Sequence, residues 1–369
     1  PRLDIPAKST GRQAYGIDVR PEGVLFASAR LNPRKGGGIT GYDASAAENM
    51  RGVRYIFPRK NGVAVVADNT WYAFQALAEI ECEWGEAPYP AEQEDHWELL
   101  ESALDGEEPE RVWRDDRDPD RGAATGFTEE LEYRAPYVAH QPLEPLNATV
   151  LETGDHAEVW AAHQMPGLVR ERVAAAAGLA AEQVTFHNQM AGGSFGHRLE
   201  FDVIDQATEI ALQLKGTPVL LTLRREEDFA QDYPRQIGLA RGAGGWNDGQ
   251  VTHLALRIAS PSVTRSQGRR AGLPALGPDM QIVAGAWDMP YAIPGLTVEG
   301  YAAEGLAPVS SWRAVGASTG GFFGECLLDE VIVAAGADPM EERLRLVNNP
   351  VARAVLEAVA EMSGWGAAR

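Results

Sequence analysis

Apolar residues recur along this chain at two periods, and the alternation between them predicts its elements. VLFASARL (24–31) and GVAVVAD (62–68) carry the dense, partly β-branched apolar runs of strands, whereas TWYAFQALAEI (70–80) is amphipathic at helical spacing. Asp43 stands where it would cap a short helix in DASAAENM. From ELEYRAPYVAHQPLEPLNATVLE onward, strand and helix patterns alternate: strand AEVWAAHQ (157–164), helix GLVRERVAAAAG, strand VTFHNQM (184–190), a glycine turn, a helix, and strand TPVLLTLRR. Near the end, FFGECLLDEVIVAAG, DPMEERLRLVNN and PVARAVLEAVAEMSGW read as helices separated by Asp338-Pro339 and Asn349-Pro350. No internal repeat is visible. Such alternation favours an α+β chain with ligands at strand-to-helix turns.

The turn in question is AGGSFGHR (191–198). After it, Phe201, Ile204, Ala207, Ala211 and Leu214 share one helical face, and the pattern stops at Gly216. A glycine-rich turn between strand and helix points free backbone N–H groups outward, so it can hold an anion or an oxygen-rich cofactor. The same glycines would equally serve a tight turn with close helix packing.

Length and charge narrow the picture. At 369 residues two or three domains are expected. The stretch EEPERVWRDDRDPDR (107–121) is charge-dense, holds two prolines and marks a boundary. The expected partition is 1–106, a charged linker 107–125, and 126–369. Hydrophobic residues make up 44%, with a mean hydropathy of −0.26. No apolar run approaches the roughly 20 residues of a membrane span, and no charged-then-apolar leader opens the sequence as given. Thirty-three basic against 53 acidic residues leave a formal charge of −20, which repels phosphate backbones and argues against a nucleic-acid partner. Cys82 and Cys326 are the only cysteines and lack CxxC spacing, so free thiols are expected. Two cysteines are too few for a [2Fe–2S] cluster, and any such cluster would sit in another chain.

Other motifs carry little. Gly36-Gly-Gly38-Ile-Thr-Gly41 satisfies the dinucleotide fingerprint formally but lacks its strand-to-helix context, and reads as a surface loop. The seven histidines show no HExxH, no i, i+4 pair and no zinc spacing, so no metal ligand is assigned among them. Ser194 is flanked by glycine without the GxSxG elbow of a hydrolase.

Taken together, several segments make the chain resemble the molybdopterin-binding large subunit of the xanthine dehydrogenase and aldehyde oxidase superfamily, in its isoquinoline 1-oxidoreductase β-subunit and nicotinate dehydrogenase branch. DIPAKSTGRQAYGIDVRPEGVLFASARLNP resembles the start of that family's α/β hammerhead domain, and YRAPYVAHQPLEPLNATV the entry to its molybdenum-cofactor domain. EVWAAHQMPGLVRERVAAAAGL, VTFHNQMAGGSFGHR, GTPVLLTLRREEDF and SSWRAVGASTGGFFGECLLDEVIVAAGADPMEERLRL follow in the family's order. The resemblance implies a hammerhead domain (1–106) followed by the first half of a mixed α/β molybdopterin-binding domain (126–369). It also implies a molybdenum–molybdopterin cofactor, and a small subunit carrying the iron–sulfur clusters. The reaction implied is hydroxylation of an electrophilic carbon in an N-heteroaromatic ring or an aldehyde, with water as the oxygen source.

By the same resemblance the cofactor loop falls on Gly192, Gly193, Ser194, Phe195 and Gly196, with Phe195 walling off water. Gln164 matches a glutamine that donates to the apical oxygen of the metal. Arg313, in SSWRAVG, matches an arginine that orients an anionic or oxygen-bearing group. The metal itself takes no protein ligand. Two positions depart from the family: Ser194 stands where a third glycine is common, and His197 where arginine is common. The family's base glutamate, in a GxGE segment, and its MGQG segment are absent here. Gly85-Glu86 and Gly324-Glu325 lack the right context, so no catalytic residue is assigned in this chain. The expectation is an internal portion of a longer subunit, inactive by itself. A non-catalytic relative that keeps the cradle as a binding or assembly scaffold is the competing expectation, and a nucleotide-binding protein the weaker one.

Overall fold

A computed structural model describes residues 2–106, 108–117, 124–274 and 277–366. By its internal contacts the chain forms two compact units: Pro1–Tyr89 with Ala139–Pro234 and Ser310–Trp312, and Pro90–Val138 with Arg235–Val309 and Arg313–Arg369.

The first unit is built on a seven-stranded mixed sheet. Its strands run, from one edge, Val184–Asn188, Ala157–Ala161, Asn147–Glu152, Val219–Thr222, Leu25–Leu31, Gly62–Ala67 and Val53–Arg59. Two pairings are parallel, Ala157–Ala161 with Val184–Asn188 and Leu25–Ala27 with Val219–Leu221; the others are antiparallel. The second parallel pairing joins the amino-terminal segment to a strand two hundred residues downstream. These units therefore differ from the linear partition at 106 and 126, because strand pairing groups residues by sheet and not by order. Val63, Val65 and Ala67 pack against Ala73, Ala76 and Leu77 of helix Thr70–Ala78, which explains why both segments are apolar in their own period. Helix Asp202–Leu212 buries Ile204, Ala207 and Ala211 of the expected stripe together with Ile210, while Phe201 precedes the helix and Leu214 lies beyond its end. It ends at Leu212, before Gly216, whose φ of 79° turns the chain so that its N–H reaches Glu152 O at 2.7 Å.

The second unit holds a six-stranded sheet. Strands Arg111–Asp115, Gly295–Ala302, Gln250–Ser260, Gly238–Asn247 and Gly126–Phe127 follow one another, and Leu131–Ala135 also pairs with Gly238–Asn247. Both faces are covered. Ala240, Leu256 and Ile258 meet helix Ala317–Ala334 through Phe323, Leu327 and Val331, while their neighbours Leu239 and Ala259 meet helix Gln93–Gly106 through Trp97 and Leu100. This alternation is the two-residue period of a strand buried on both sides. Helices Pro339–Leu346 and Pro350–Ser363 follow, each opened by an Asx cap, Asp338 and Asn349, and a proline.

Two expectations change locally. The residues after Asp43 form turns, not a helix; the Asp43 carboxylate accepts from Ser45 N at 2.8 Å and ends strand Ile39–Asp43. The stretch read as a linker carries strand Arg111–Asp115, and its residues 107 and 118–123 lie outside the described residues. Both cysteines are free.

Candidate functional site

Strands Ala157–Ala161 and Val184–Asn188 are parallel neighbours, so their carboxyl ends leave the sheet side by side. Gln189 N donates to Ala161 O at 3.0 Å and His163 N to Asn188 Oδ1 at 3.0 Å, which ties the two exits together. Gln164 lies three residues beyond one strand, and Gly192–Gly196 lie beyond the other. The Ser194 hydroxyl donates to Gln164 Oε1, and Gln164 N donates to Arg198 O at 2.9 Å. The fold thus brings together Gln164 and the whole glycine turn, at the strand ends where open α/β sheets carry ligands.

The turn is held from beneath by an ion pair. Glu144 Oε2 accepts from Gly192 N at 2.7 Å and from Arg198 Nη2 at 3.0 Å; its Oε1 accepts from Ile17 N at 3.0 Å and Asn147 Nδ2 at 2.9 Å. Arg198 Nε donates to Gly193 O at 3.0 Å. All four good acceptor positions of Glu144 are therefore used, which makes it a support and not a free base. Burial pulls the Arg198 guanidinium below its usual value, with Glu144 and Asp228 acting against that.

Above this support the backbone is unusual. Gly193 (φ 109°), Phe195 (φ 58°) and Gly196 (φ 112°) are all left-handed, and a phenylalanine there is strained. A Cβ on Gly196 would lie 1.5 Å from Ser311 O, so only glycine fits. Among the described residues, the N–H groups of Gly193, Ser194, Phe195 and Gly196 donate to no acceptor. Unpaired backbone donors on a turn with three left-handed residues, Gly193 and Phe195 at a cavity wall and Gly196 buried, suit an anionic, oxygen-rich group. Phe195 is 45% exposed beside them. A cavity of about 700 Å³ adjoins the turn, lined by Gly192, Gly193 and Phe195 with Lys8, Tyr15 and Leu143. Ser194 touches no base: its hydroxyl donates to Gln164 and accepts from Arg198 N at 3.1 Å. The described side chains here offer no redox chemistry of their own; that would need a bound group. The donor set and the strained, glycine-lined turn fit molybdopterin.

Two histidine sites missed by spacing flank the turn. His163 accepts from Met165 N on Nδ1 (3.0 Å) and pairs through Nε2 with Glu200 O (3.2 Å), the partners of a neutral ring. Burial lowers it to about 4 despite these backbone bonds. His140 and His197, 57 positions apart, stack with centroids 5.1 Å apart over Asp232. With Asp232 they could offer three ligand atoms to a metal. Yet Asp232 Oδ1 lies 2.8 Å from His140 Nδ1, a spacing met by an N–H···O bond without an ion, while His197 Nδ1, 2.9 Å away, makes no hydrogen bond.

Arg313, the remaining expected residue, belongs to the second unit. It is exposed on a turn whose next residues, Ala314 (φ 68°) and Val315 (φ 48°), are left-handed, and left-handed valine is costly. Gly316 N then donates to Gln281 Oε1 at 3.1 Å and leads into helix Ala317–Ala334.

Over 387 residues the chain is 28% identical to the isoquinoline 1-oxidoreductase β-subunit of Brevundimonas diminuta, covering 99% of this chain and 48% of the relative. It is 26% identical to a nicotinate dehydrogenase subunit of Pseudomonas putida, covering 99% of this chain and 32% of that one. The chain thus spans about a third to about a half of these relatives' length. Its fold matches quinoline 2-oxidoreductase from Pseudomonas putida 86 and the aldehyde oxidoreductase of Desulfovibrio gigas. Each has a TM-score of 0.73 and 19% identity over 98% of this chain, covering 53% and 46% of those chains. Residues 107–348 match the family described as molybdopterin cofactor-binding domain, and the chain belongs to that family.

Proposed function

We propose that this chain forms part of the large subunit of a molybdenum hydroxylase that oxidises an N-heteroaromatic compound or an aldehyde with water as the oxygen source. The observation that carries the reading is the row of N–H groups without an acceptor at Gly193–Gly196 beside Gln164. These residues, with Gly192, would hold the cofactor, and Phe195 would exclude water from it. Gln164 reaches the cofactor through its amide N–H₂, because its Oε1 is already taken by Ser194. Arg313 would orient an anionic or oxygen-bearing group. Bound there, the molybdenum centre supplies the redox and oxygen-transfer chemistry that no side chain here offers. Electrons would leave through a separate small iron–sulfur subunit, since the chain has two cysteines, both free.

The test is metal content in two variants of the protein as its native host makes it. Gln164 is exposed, so Gln164→Ala should keep its melting temperature yet lose molybdenum on the order of tenfold; Gly193→Val, at a left-handed position, should lose molybdenum as well and lower the melting temperature. Full molybdenum in both variants would remove the turn from the cofactor site.

A further inference from the structure

Gln164 stands on a segment that neither sheet nor helix pairing holds: its strand ends at Ala161, and the next helix begins at Pro166. Its anchorage comes from successive peptide groups. His163 N donates to Asn188 Oδ1 at 3.0 Å, Gln164 N to Arg198 O at 2.9 Å, and Met165 N to the His163 ring at Nδ1 at 3.0 Å. The ring is buried, and its Nε2 lies 3.2 Å from Glu200 O. It therefore links the strand exit to the segment that leaves the glycine turn. The two partners fix the tautomer. A peptide N–H only donates, so Nδ1 carries no proton; a peptide carbonyl only accepts, so Nε2 carries one. An imidazolium or the Nδ1–H tautomer would each lose Met165. Burial keeps the ring neutral, lowering it to about 4, and the Arg198 charge acts in the same sense. Phe201 packs against the ring with centroids 4.5 Å apart. On the far side of the link, Arg198 Nε reaches back to Gly193 O at 3.0 Å, so Gln164 and the glycine turn share one anchor.

We propose that His163 is a positioning residue for Gln164: its neutral Nε2–H ring ties Met165 N to Glu200 O and so holds the Gln164 side chain beside Ser194 and the glycine turn. That the held side chain serves the cofactor rests on the reading above; the tether itself does not. A ring that only filled space would need neither nitrogen.

The test begins with the cofactor-free chain. Backbone hydrogen exchange is read residue by residue by NMR in wild type, His163→Phe and His163→Gln at neutral pH. Phenylalanine keeps a ring against Phe201 but has no nitrogen, whereas glutamine carries a donor and an acceptor on one amide. The reporter is the Gln164 N–H, which bonds Arg198 O and not the His163 ring. In His163→Phe it should lose protection on the order of tenfold, together with Met165 N–H, while strand Ala157–Ala161 keeps its own; His163→Gln should recover part of the loss. Equal Gln164 protection in wild type and His163→Phe, or in His163→Phe and His163→Gln, would overturn the proposal. Should the variants not fold, the ring nitrogen shifts of His163 in wild type decide: a proton on Nε2 alone supports the tether, and a proton on Nδ1 overturns it. Molybdenum is then measured in wild type and His163→Phe from the native host. A loss on the order of tenfold in the variant is expected, and equal metal in both would overturn the positioning role. The expected exchange in a wild type that holds no molybdenum would refute the cofactor reading and leave the tether intact.

Discussion

Gly196 is the residue whose replacement the structure tolerates least. Alanine there would place its Cβ 1.5 Å from Ser311 O at a φ of 112°, so both sterics and backbone strain oppose it. Gly196→Ala should cost roughly 2 to 4 kcal/mol, read from denaturant unfolding; a loss under half a kilocalorie would contradict the packing described. The two flanking histidines predict opposite pH behaviour. His197 is raised in the fold, so its contribution is fully present below about pH 6.5 and is lost as pH rises through about 9. His163 is lowered in the fold, so its contribution is lost as pH falls from about 6.5 towards 4. Unfolding midpoints measured across pH 4–10 should fall at both ends, and His197→Arg should remove the alkaline fall alone. The glycines stand out in the sequence because the turn needs them locally, and Phe195 because the left-handed turn disfavours it. Glu144, Asp228 and Asp232 do not, since only the fold brings these distant residues together.

At the scale of elements, parallel pairing of Leu25–Ala27 with Val219–Leu221 puts the amino-terminal strands into the sheet that carries the turn. Residues 1–106 expressed alone should therefore lack a stable fold, because strand Leu25–Leu31 loses one neighbour and the sheet ends at an open edge. A dispersed amide NMR spectrum from that fragment would contradict this. Strong local periods made Gly62–Ala67, Thr70–Ala78 and Asp202–Leu212 legible in the sequence. The hairpin Gly238–Asn247 to Gln250–Ser260 was not read, although Asp248-Gly249, both left-handed, is a strong turn signal. Its first strand, GLARGAGGWN, looks like a loop by composition. The glycines are there for packing: a Cβ on Gly242 or Gly244 would meet Leu327 or Val331 at 2.5 or 2.4 Å. Short helices failed the other way: DASAAENM has helical residues but, in the fold, closes turns after an edge strand.

For the whole molecule, among the described residues no helix is long and apolar enough to cross a membrane. The chain spans 48% of the Brevundimonas relative and 32% of the Pseudomonas one. Within it Glu144 adjoins the turn but is fully engaged, and Ser194 has no base. The 369 residues by themselves should show no turnover of a heteroaromatic or aldehyde substrate. Turnover by the isolated chain would mean that a base within it has been overlooked. Molybdopterin held at the turn Gly192–Gly196 is directly measurable through its metal. Molybdenum should be measured by mass-spectrometric elemental analysis on the protein purified from its native host. Stoichiometric molybdenum that is lost in Gln164→Ala is the predicted result; a metal-free protein from a host that makes the cofactor would contradict the account and favour a non-catalytic scaffold.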